Sequence, residues 1–169
     1  MKYPMRRKDR QMSEEFAYEI ADKCVFASLA TVNEDGSPYC IPVNIARNGR
    51  RLYFHSAKAG QKIENLRRNN AVCLCCVGDT NVPDGRFTME FESAVIYGHA
   101  RELTAEAEKV EALRLICMRH APGNMDDFSN AMERSLERTS VWTIEIDEIT
   151  GKRKKYDSEG TEMTWGRME

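Results

Sequence analysis

The sequence has 169 residues, a length that favours a single folded domain. It carries 25 Lys and Arg residues against 27 Asp and Glu residues, and this near balance argues against a nucleic-acid binder that relies on a basic surface. No apolar run approaches the ~20 residues that span a bilayer, and no signal-peptide core follows the basic opening at residues 1–10. We therefore expect a cytoplasmic protein that binds neither nucleic acid nor membrane.

The first predicted element is a helix over residues 13–24, where Ser13 is a suitable cap and apolar side chains repeat on one face. After it the hydrophobic period becomes β-like, and turn signals such as Asn48-Gly49 separate the segments. Strands are predicted at residues 25–32, 38–46, 51–56, 71–77, 86–103 and 139–146. Further helices are predicted at residues 60–68, 104–119 and 125–138.

The order of these elements indicates the fold class. The first three strands, joined by tight turns, predict an antiparallel meander, and the chain shows no regular β-α-β alternation. Gly98 is expected to mark a bend or bulge in the long strand. We therefore predict a mainly β protein with helices (α+β), in which a six-stranded antiparallel barrel has its helices packed outside. Residues 152–169, which are charged and rich in turn residues, are expected to be irregular.

The six cysteines are expected to be reduced thiols, because no secretion signal accompanies them. Three of them lie in the predicted strand at residues 71–77, where alternation places Cys73 and Cys75 on one face and Cys76 on the other. The spacing of a structural zinc site is absent. The sequence therefore predicts plain buried cysteines and no metal site, with a cysteine-based metal binder as the weaker alternative.

Residues 52–62 carry the most informative pattern: a strand end, a loop of small residues and a helix start. A helix start presents unpaired backbone N–H groups and the positive end of the helix dipole, both of which suit an anion. The side chains that add donors or charge are His55, Ser56, Lys58, Gln61 and Lys62. A phosphate is the expected guest, although P-loop and dinucleotide-binding spacings are absent. The alternative is an ordinary strand-to-helix connection with surface lysines.

Several segments, taken in order, resemble one known family. They are residues 5–10, Gly36-Ser37-Pro38-Tyr39 with Ile41-Pro42-Val43-Asn44, residues 53–66, Val95-Ile96-Tyr97-Gly98-His99-Ala100-Arg101, and residues 143–152. They are similar to the flavin-binding split-barrel family typified by pyridoxamine-phosphate oxidase, and within it to the nitroimidazole-resistance (Nim-type) proteins. We therefore expect an FMN-binding split-barrel domain at residues 1–152 and a C-terminal tail at residues 153–169.

The resemblance implies a homodimer with FMN bound in two clefts between the subunits. The residues that would hold the FMN phosphate and ribityl chain are His55, Ser56, Lys58, Gln61 and Lys62. The isoalloxazine ring would lie along Pro42, Val43 and Asn44. His55 is the candidate catalytic residue, since an imidazole titrates near neutral pH.

The sequence also departs from the oxidase branch of that family. The branch has an Arg and a Lys where this sequence has Tyr39 and Asn44, and an Arg where it has Gln61. Each difference removes positive charge, so phosphorylated pyridoxamine should bind poorly. The hypothesis is an FMN-dependent, nitroreductase-like oxidoreductase. It would pass electrons from a nicotinamide or other reductant through FMN to a small uncharged aromatic such as a nitroimidazole.

The alternative is a flavin- or haem-binding split-barrel protein without nitroreductase activity, such as a sensor, a store or an enzyme like pyridoxamine-phosphate oxidase. In the haem version His55 or His99 would be an axial ligand. Otherwise His99 and His120 are expected to be structural, and Trp142 to pack in the core or at the dimer interface.

Overall fold

A computed structural model describes residues 4–165, and the elements below are those of this part of the chain. The helices are α1 (Glu14–Lys23), α2 (Gln61–Arg68), α3 (Glu106–His120) and α4 (Phe128–Ser135). The strands are β1 (Gln11–Met12), β2 (Ala27–Val32), β3 (Pro38–Val43), β4 (Ala46–Asn48), β5 (Arg51–Ala57), β6 (Ala71–Asn81), β7 (Glu90–Glu102) and β8 (Thr139–Lys154).

The predicted class, an antiparallel β structure with helices packed outside, is confirmed, but the predicted count of six strands is wrong. The sheet of the described residues has eight strands. One additional strand is β1, whose two residues pair with Gly151 and Lys152 of β8 and are too short for a periodic signal. The other arises because the predicted strand at residues 38–46 divides into β3 and β4.

The division of that strand closes the barrel. The strand order is β3-β2-β6-β7-β8-β5-β4, so β3 and β4 lie at opposite ends of the sheet although only Asn44 and Ile45 separate them in the chain. The predicted three-stranded meander is therefore wrong: β2–β3 and β4–β5 are separate antiparallel hairpins. The connection at Asn44 and Ile45 joins the two ends of the sheet.

The barrel interior is filled by the inward-facing side chains of the strands. Phe54 of β5 and Trp142 of β8 stack there with ring centroids 6.3 Å apart. The Trp142 indole donates a 2.8 Å hydrogen bond to Ser140 Oγ, which satisfies its one polar group. Trp142 therefore packs in the core, one of the two places predicted for it. A smaller apolar cluster, which includes Leu113 and Phe128, lies between α3, α4 and the outside of the barrel.

The long pair β7–β8 carries the predicted irregularity at Gly98. The pairing register shifts between Tyr97 and Gly98. A Cβ at Gly98 would clash with the carbonyl oxygen of Glu145 on β8, so the two backbones can approach this closely only at a glycine.

The C-terminal segment is more regular than predicted. Strand β8 continues to Lys154 because the 13-residue β7 offers pairing partners as far as Phe91. Beyond it Tyr156 forms a β-bridge with Glu162, whose carboxylate pairs with Arg10. Residues 152–154, which were expected to be irregular, belong to β8. Residues 166–169 of the predicted tail lie outside the described residues.

The cysteines of β6 alternate as predicted, but they are not all buried. Cys76 is buried, Cys73 is half-buried and Cys75 is exposed, since successive side chains of a strand face opposite sides. The prediction of plain buried cysteines in this strand is therefore wrong for Cys75; Cys40 of β3 is exposed as well. Within residues 4–165 no cluster of three or more His, Cys, Asp or Glu side chains has the arrangement of a metal site.

No helix in the described part of the chain combines the length and the apolar character that a membrane crossing requires.

Candidate functional site

The corner between β5 and α2 brings together most of the predicted phosphate-binding residues. Strand β5 ends at Ala57, and Gly60 precedes α2 with a φ of 125°, a conformation that favours glycine. No side chain caps this helix, and the Ile63 N–H donates to the Gly60 carbonyl, which leaves the N–H groups of Gln61 and Lys62 without an acceptor among the described residues. The corner therefore presents these two donors and the positive end of the helix dipole.

Lys62 supplies a positive charge at this corner that no carboxylate offsets. Its side chain is half-buried, and its ammonium lies 5.7 Å from the centroid of the Phe54 ring. Among residues 4–165 no Asp or Glu oxygen lies within 4 Å of it. Burial lowers the pKa of Lys62, because a desolvated ammonium is less stable than a hydrated one. A bound anion would remove this penalty.

His55 lies on the outer face of β5 beside Lys62. Although part of the ring is open to solvent, burial by its neighbours lowers the pKa of His55, and the positive charge of Lys62 lowers it further. The imidazole is therefore neutral at pH 7 in the absence of an anion. In that form it can donate one hydrogen bond and accept another.

The other predicted phosphate ligands, Ser56, Lys58 and Gln61, differ in their exposure and hydrogen-bond partners. Ser56 Oγ donates a 2.8 Å hydrogen bond to the carbonyl oxygen of Ala57, at the corner itself. Lys58 is exposed beside it. Gln61 instead donates a 2.9 Å hydrogen bond to Asn33 Oδ1. Asn65, one turn along α2, also donates to Asn33, at 2.7 Å, so this face of α2 fastens the helix to the β2–β3 turn.

The predicted ring-binding residues line a separate cleft of about 560 Å³ beside β2 and β3. Its walls are formed by Val25, Phe26, Ser28, Cys40, Ile41, Pro42, Val43 and Asn44. Val43 is only 6% exposed, so mainly its backbone is available to a ligand. None of these side chains carries a formal charge at neutral pH. The cleft thus suits an uncharged, flat guest.

His120 lies between the cleft and the corner. Its Nε2 donates a 2.8 Å hydrogen bond to the Ile45 carbonyl, and Nδ1 accepts one from the Asn44 amide at 3.3 Å. This pairing selects the neutral Nε2–H tautomer. Its backbone contact agrees with the predicted structural role, but its position beside the site was not predicted. No local signal could reveal it, since Asn44 and His120 are far apart in sequence.

His99 lies on the sheet face, away from the corner and the cleft. It is on the outside of β7, where its Nδ1 is 2.7 Å from a carboxylate oxygen of Asp147.

A barrel of antiparallel strands with an anion-favouring strand-to-helix corner defines the class of split-barrel proteins. The chain belongs within that class to the pyridoxamine 5'-phosphate oxidase family, whose model matches residues 13–153. A curated relative, an uncharacterized protein of Rhizobium meliloti (strain 1021), is 27% identical over 150 residues, which are 85% of this chain and 93% of the relative.

Solved structures share the fold. A candidate 5-nitroimidazole antibiotic resistance protein from Bacteroides thetaiotaomicron VPI-5482 matches with a TM-score of 0.70 and 25% identity, over 85% of this chain and 86% of that chain. An FAD and heme binding protein from Mycobacterium smegmatis matches with a TM-score of 0.75 and 18% identity, over 94% and 84% of the respective chains. At 18% identity, the likeness to the Mycobacterium smegmatis protein shows the fold alone.

We predict that Lys62→Met raises the pKa of His55, because one of the positive charges that disfavour the imidazolium is removed while the buried stem is kept. In the unmodified protein the imidazole should titrate below its usual value of 6.5. NMR titration of the imidazole C–H resonances measures the pKa of His55 in the unmodified protein and in the variant. Lys58→Met is the matched control and should leave the pKa unchanged; equal shifts in the two variants would contradict the geometry.

Proposed function

We propose that the protein is an FMN-dependent oxidoreductase of the cytoplasm. It would pass electrons from a nicotinamide or other reductant to a small uncharged nitroaromatic such as a nitroimidazole. Membership of the pyridoxamine 5'-phosphate oxidase family supports a flavin-type site. The likeness to a candidate 5-nitroimidazole antibiotic resistance protein supports the acceptor class.

The observation that carries the proposal is the unpaired Lys62 beside the uncapped start of α2. The half-buried Lys62 ammonium and the open backbone N–H groups of Gln61 and Lys62 form a site of positive potential with no carboxylate partner among the described residues. A phosphate monoester supplies two negative charges and several acceptor oxygens, which match this donor set. The corner thus fits the phosphate end of FMN.

We propose the following roles for the residues of the corner. Lys62 and the first-turn N–H groups of α2 would hold the phosphate, with His55, Ser56 and Lys58 around it. When bound, flavin mononucleotide supplies two-electron transfer chemistry. We further propose that His55 takes up a proton at this site, because its pKa is lowered in the empty protein and the negative charge of a bound phosphate would favour the imidazolium. Gln61 would act through Asn33 by positioning α2.

The lack of charge in the cleft supports a small uncharged aromatic as the electron acceptor. Pro42, Val43 and Asn44 would offer backbone groups to the polar edge of the ring, while Phe26 and Val25 supply apolar contact. A phosphorylated vitamin would find no cationic side chain among the cleft's walls. A small uncharged aromatic loses little hydration there, so the cleft favours it.

An uncharged surface on the outside of the sheet, beside the cleft, supports a homodimer. Nine neighbouring outward side chains of β3, β2, β6 and β7 form one surface without formal charge: Ser28, Ala30, Cys40, Pro42, Cys73, Cys75, Val77, Val95 and Tyr97. Tyr97 and Val77 are 42% and 49% exposed. This surface is continuous with the cleft, which shares Ser28, Cys40 and Pro42 with it. A second copy of the chain would cover the surface and enclose the cleft.

The phosphate assignment predicts a difference between FMN and riboflavin. A variant with both Ser56→Ala and Lys62→Met should bind FMN at least about tenfold more weakly, because charge-assisted hydrogen bonds to the phosphate are lost. Its affinity for riboflavin, which lacks the phosphate, should change less than about twofold. Quenching of flavin fluorescence measures both constants. Lys8→Met, at an exposed lysine remote in sequence, is the control.

An equal loss of FMN and riboflavin binding would show that the variant disturbs the ring site or the fold, and unchanged FMN binding would place the phosphate elsewhere.

The reaction is tested with the purified, flavin-loaded protein. NADH or NADPH should bleach the flavin absorption band, and addition of a nitroimidazole should restore it while the nitro group is reduced. A bound flavin that no reductant bleaches, or that the nitroimidazole does not reoxidise, would refute the nitroreductase proposal. The absorption spectrum of the protein as purified separates a flavin from a haem at once, and a haem spectrum would favour the alternative without nitroreductase activity.

The homodimer predicts twice the chain mass in solution. Val77→Glu should shift the protein to the monomer mass, because it buries a carboxylate against the partner's uncharged surface. Val82→Glu, at a valine that is 60% exposed in the loop after β6, should leave the dimer intact. Size-exclusion chromatography with light scattering measures the mass. A monomeric unmodified protein at micromolar concentration would contradict the proposed dimer.

A further inference from the structure

The side-chain amide of Asn44 has a fixed orientation at the wall of the cleft. Its Nδ2 donates a 3.3 Å hydrogen bond to the Val25 carbonyl oxygen and lies 3.3 Å from His120 Nδ1. A carbonyl oxygen can only accept, so the amide atom that faces Val25 is the nitrogen and not the oxygen. The backbone of the neighbouring segment therefore decides which way round this amide lies.

His120 supplies the second acceptor for the same amide. Its Nε2 lies 2.8 Å from the Ile45 carbonyl oxygen, which again can only accept, so Nε2 carries the proton of the neutral imidazole. Nδ1 then has a lone pair, which accepts from the Asn44 amide. Two backbone carbonyls, those of Val25 and Ile45, thus determine both the tautomer of His120 and the orientation of Asn44.

The oxygen of the Asn44 amide remains open to a guest. The two hydrogen bonds to Val25 and His120 use both hydrogens of the amide nitrogen. Asn44 Oδ1 accepts no hydrogen bond from the described residues, and Asn44 is an exposed residue of the cleft wall. A guest that covers this oxygen must donate to it, because a buried acceptor without a donor lowers the binding affinity.

The end of α3 holds the arrangement in place. Arg119 Nη2 donates a 2.7 Å hydrogen bond to the carbonyl oxygen of Cys24, the residue before Val25, and His120 follows Arg119 on the helix. If the Asn44 amide were reversed, its oxygen would face two acceptors, the Val25 carbonyl and His120 Nδ1, and both hydrogen bonds would be lost. The amide is therefore preorganised as an acceptor toward the cleft.

We propose that Asn44 Oδ1 is a specificity-determining acceptor of the cleft and that His120 is the residue that positions it. The cleft then selects a flat ring with an N–H donor on its polar edge. This inference rests on the proposed flavin function, because the oxidised isoalloxazine ring has one N–H, that of its imide. The imide N–H donates to Asn44 Oδ1, and a ring that lacks this hydrogen leaves the acceptor unpaired.

The test compares the binding of FMN with that of 3-methyl-FMN, in which a methyl group replaces the imide hydrogen. The FMN preference is the dissociation constant of 3-methyl-FMN divided by that of FMN, and quenching of flavin fluorescence measures both constants. We expect a preference of at least about tenfold in the unmodified protein. Asn44→Leu keeps the side-chain volume without an acceptor and should lower the preference at least about threefold, since only the steric effect of the methyl group remains.

Two variants of His120 separate positioning of Asn44 from a purely structural role. His120→Asn keeps an acceptor near the place of Nδ1, whereas His120→Gln keeps a donor near the place of Nε2 and loses that acceptor. If His120 acts through Asn44, His120→Asn should retain the FMN preference within about twofold and His120→Gln should lower it at least about threefold. The reverse order, or the same preference in both variants, would remove His120 from the proposal.

The outcomes also distinguish this inference from the flavin function itself. Equal binding of FMN and 3-methyl-FMN to the unmodified protein would overturn the acceptor role of Asn44 and leave the flavin function standing. An unchanged FMN preference in Asn44→Leu would place the imide N–H against another acceptor and would also overturn it. Failure of the unmodified protein to bind either flavin would overturn both proposals.

Discussion

Closure of the barrel depends on the connection between β3 and β4. Val43, Ile45 and Ala46 are all buried, a pattern that a single alternating strand cannot produce. The chain turns at Asn44, and the two halves pair with strands at opposite ends of the sheet. The Ile45 carbonyl, which lies outside the strand ladders, accepts its hydrogen bond from His120. The Asn44–Ile45 connection therefore closes the barrel, forms part of the cleft wall and is hydrogen-bonded to α3.

The candidate site holds a half-buried positive charge without a carboxylate partner among the described residues. Arg47 pairs with Asp22 and Arg10 with Glu162, as most arginines of the described residues pair with a carboxylate. Lys62 does not, although it is half-buried and stands at an uncapped helix start. Such an unbalanced positive site lowers the stability of the empty protein, and local departures of this kind are typical of binding sites. The argument for a phosphate rests on this imbalance.

The segment that leaves α1 runs directly into the cleft. Cys24 caps α1, and the next two residues, Val25 and Phe26, line the cleft. Arg119 and His120 are adjacent on α3: Arg119 donates to the Cys24 carbonyl, and His120 contacts the Asn44 amide. The C-terminal end of α3 therefore holds both the segment that enters the cleft and the wall of the cleft.

The sequence by itself determined the helices, most of the strands and the anion-favouring corner, because these depend on hydrophobic period, capping residues and the order of neighbouring residues. Gly98, for example, could be recognised as an irregularity from its place in a strand pattern. Only the tertiary structure decided that residues 38–46 divide at Asn44, that Gln61 holds Asn33, and that His120 and Arg119 reach Asn44 and Cys24. These features join segments far apart in the chain, and closure of the barrel creates contacts that no local pattern specifies.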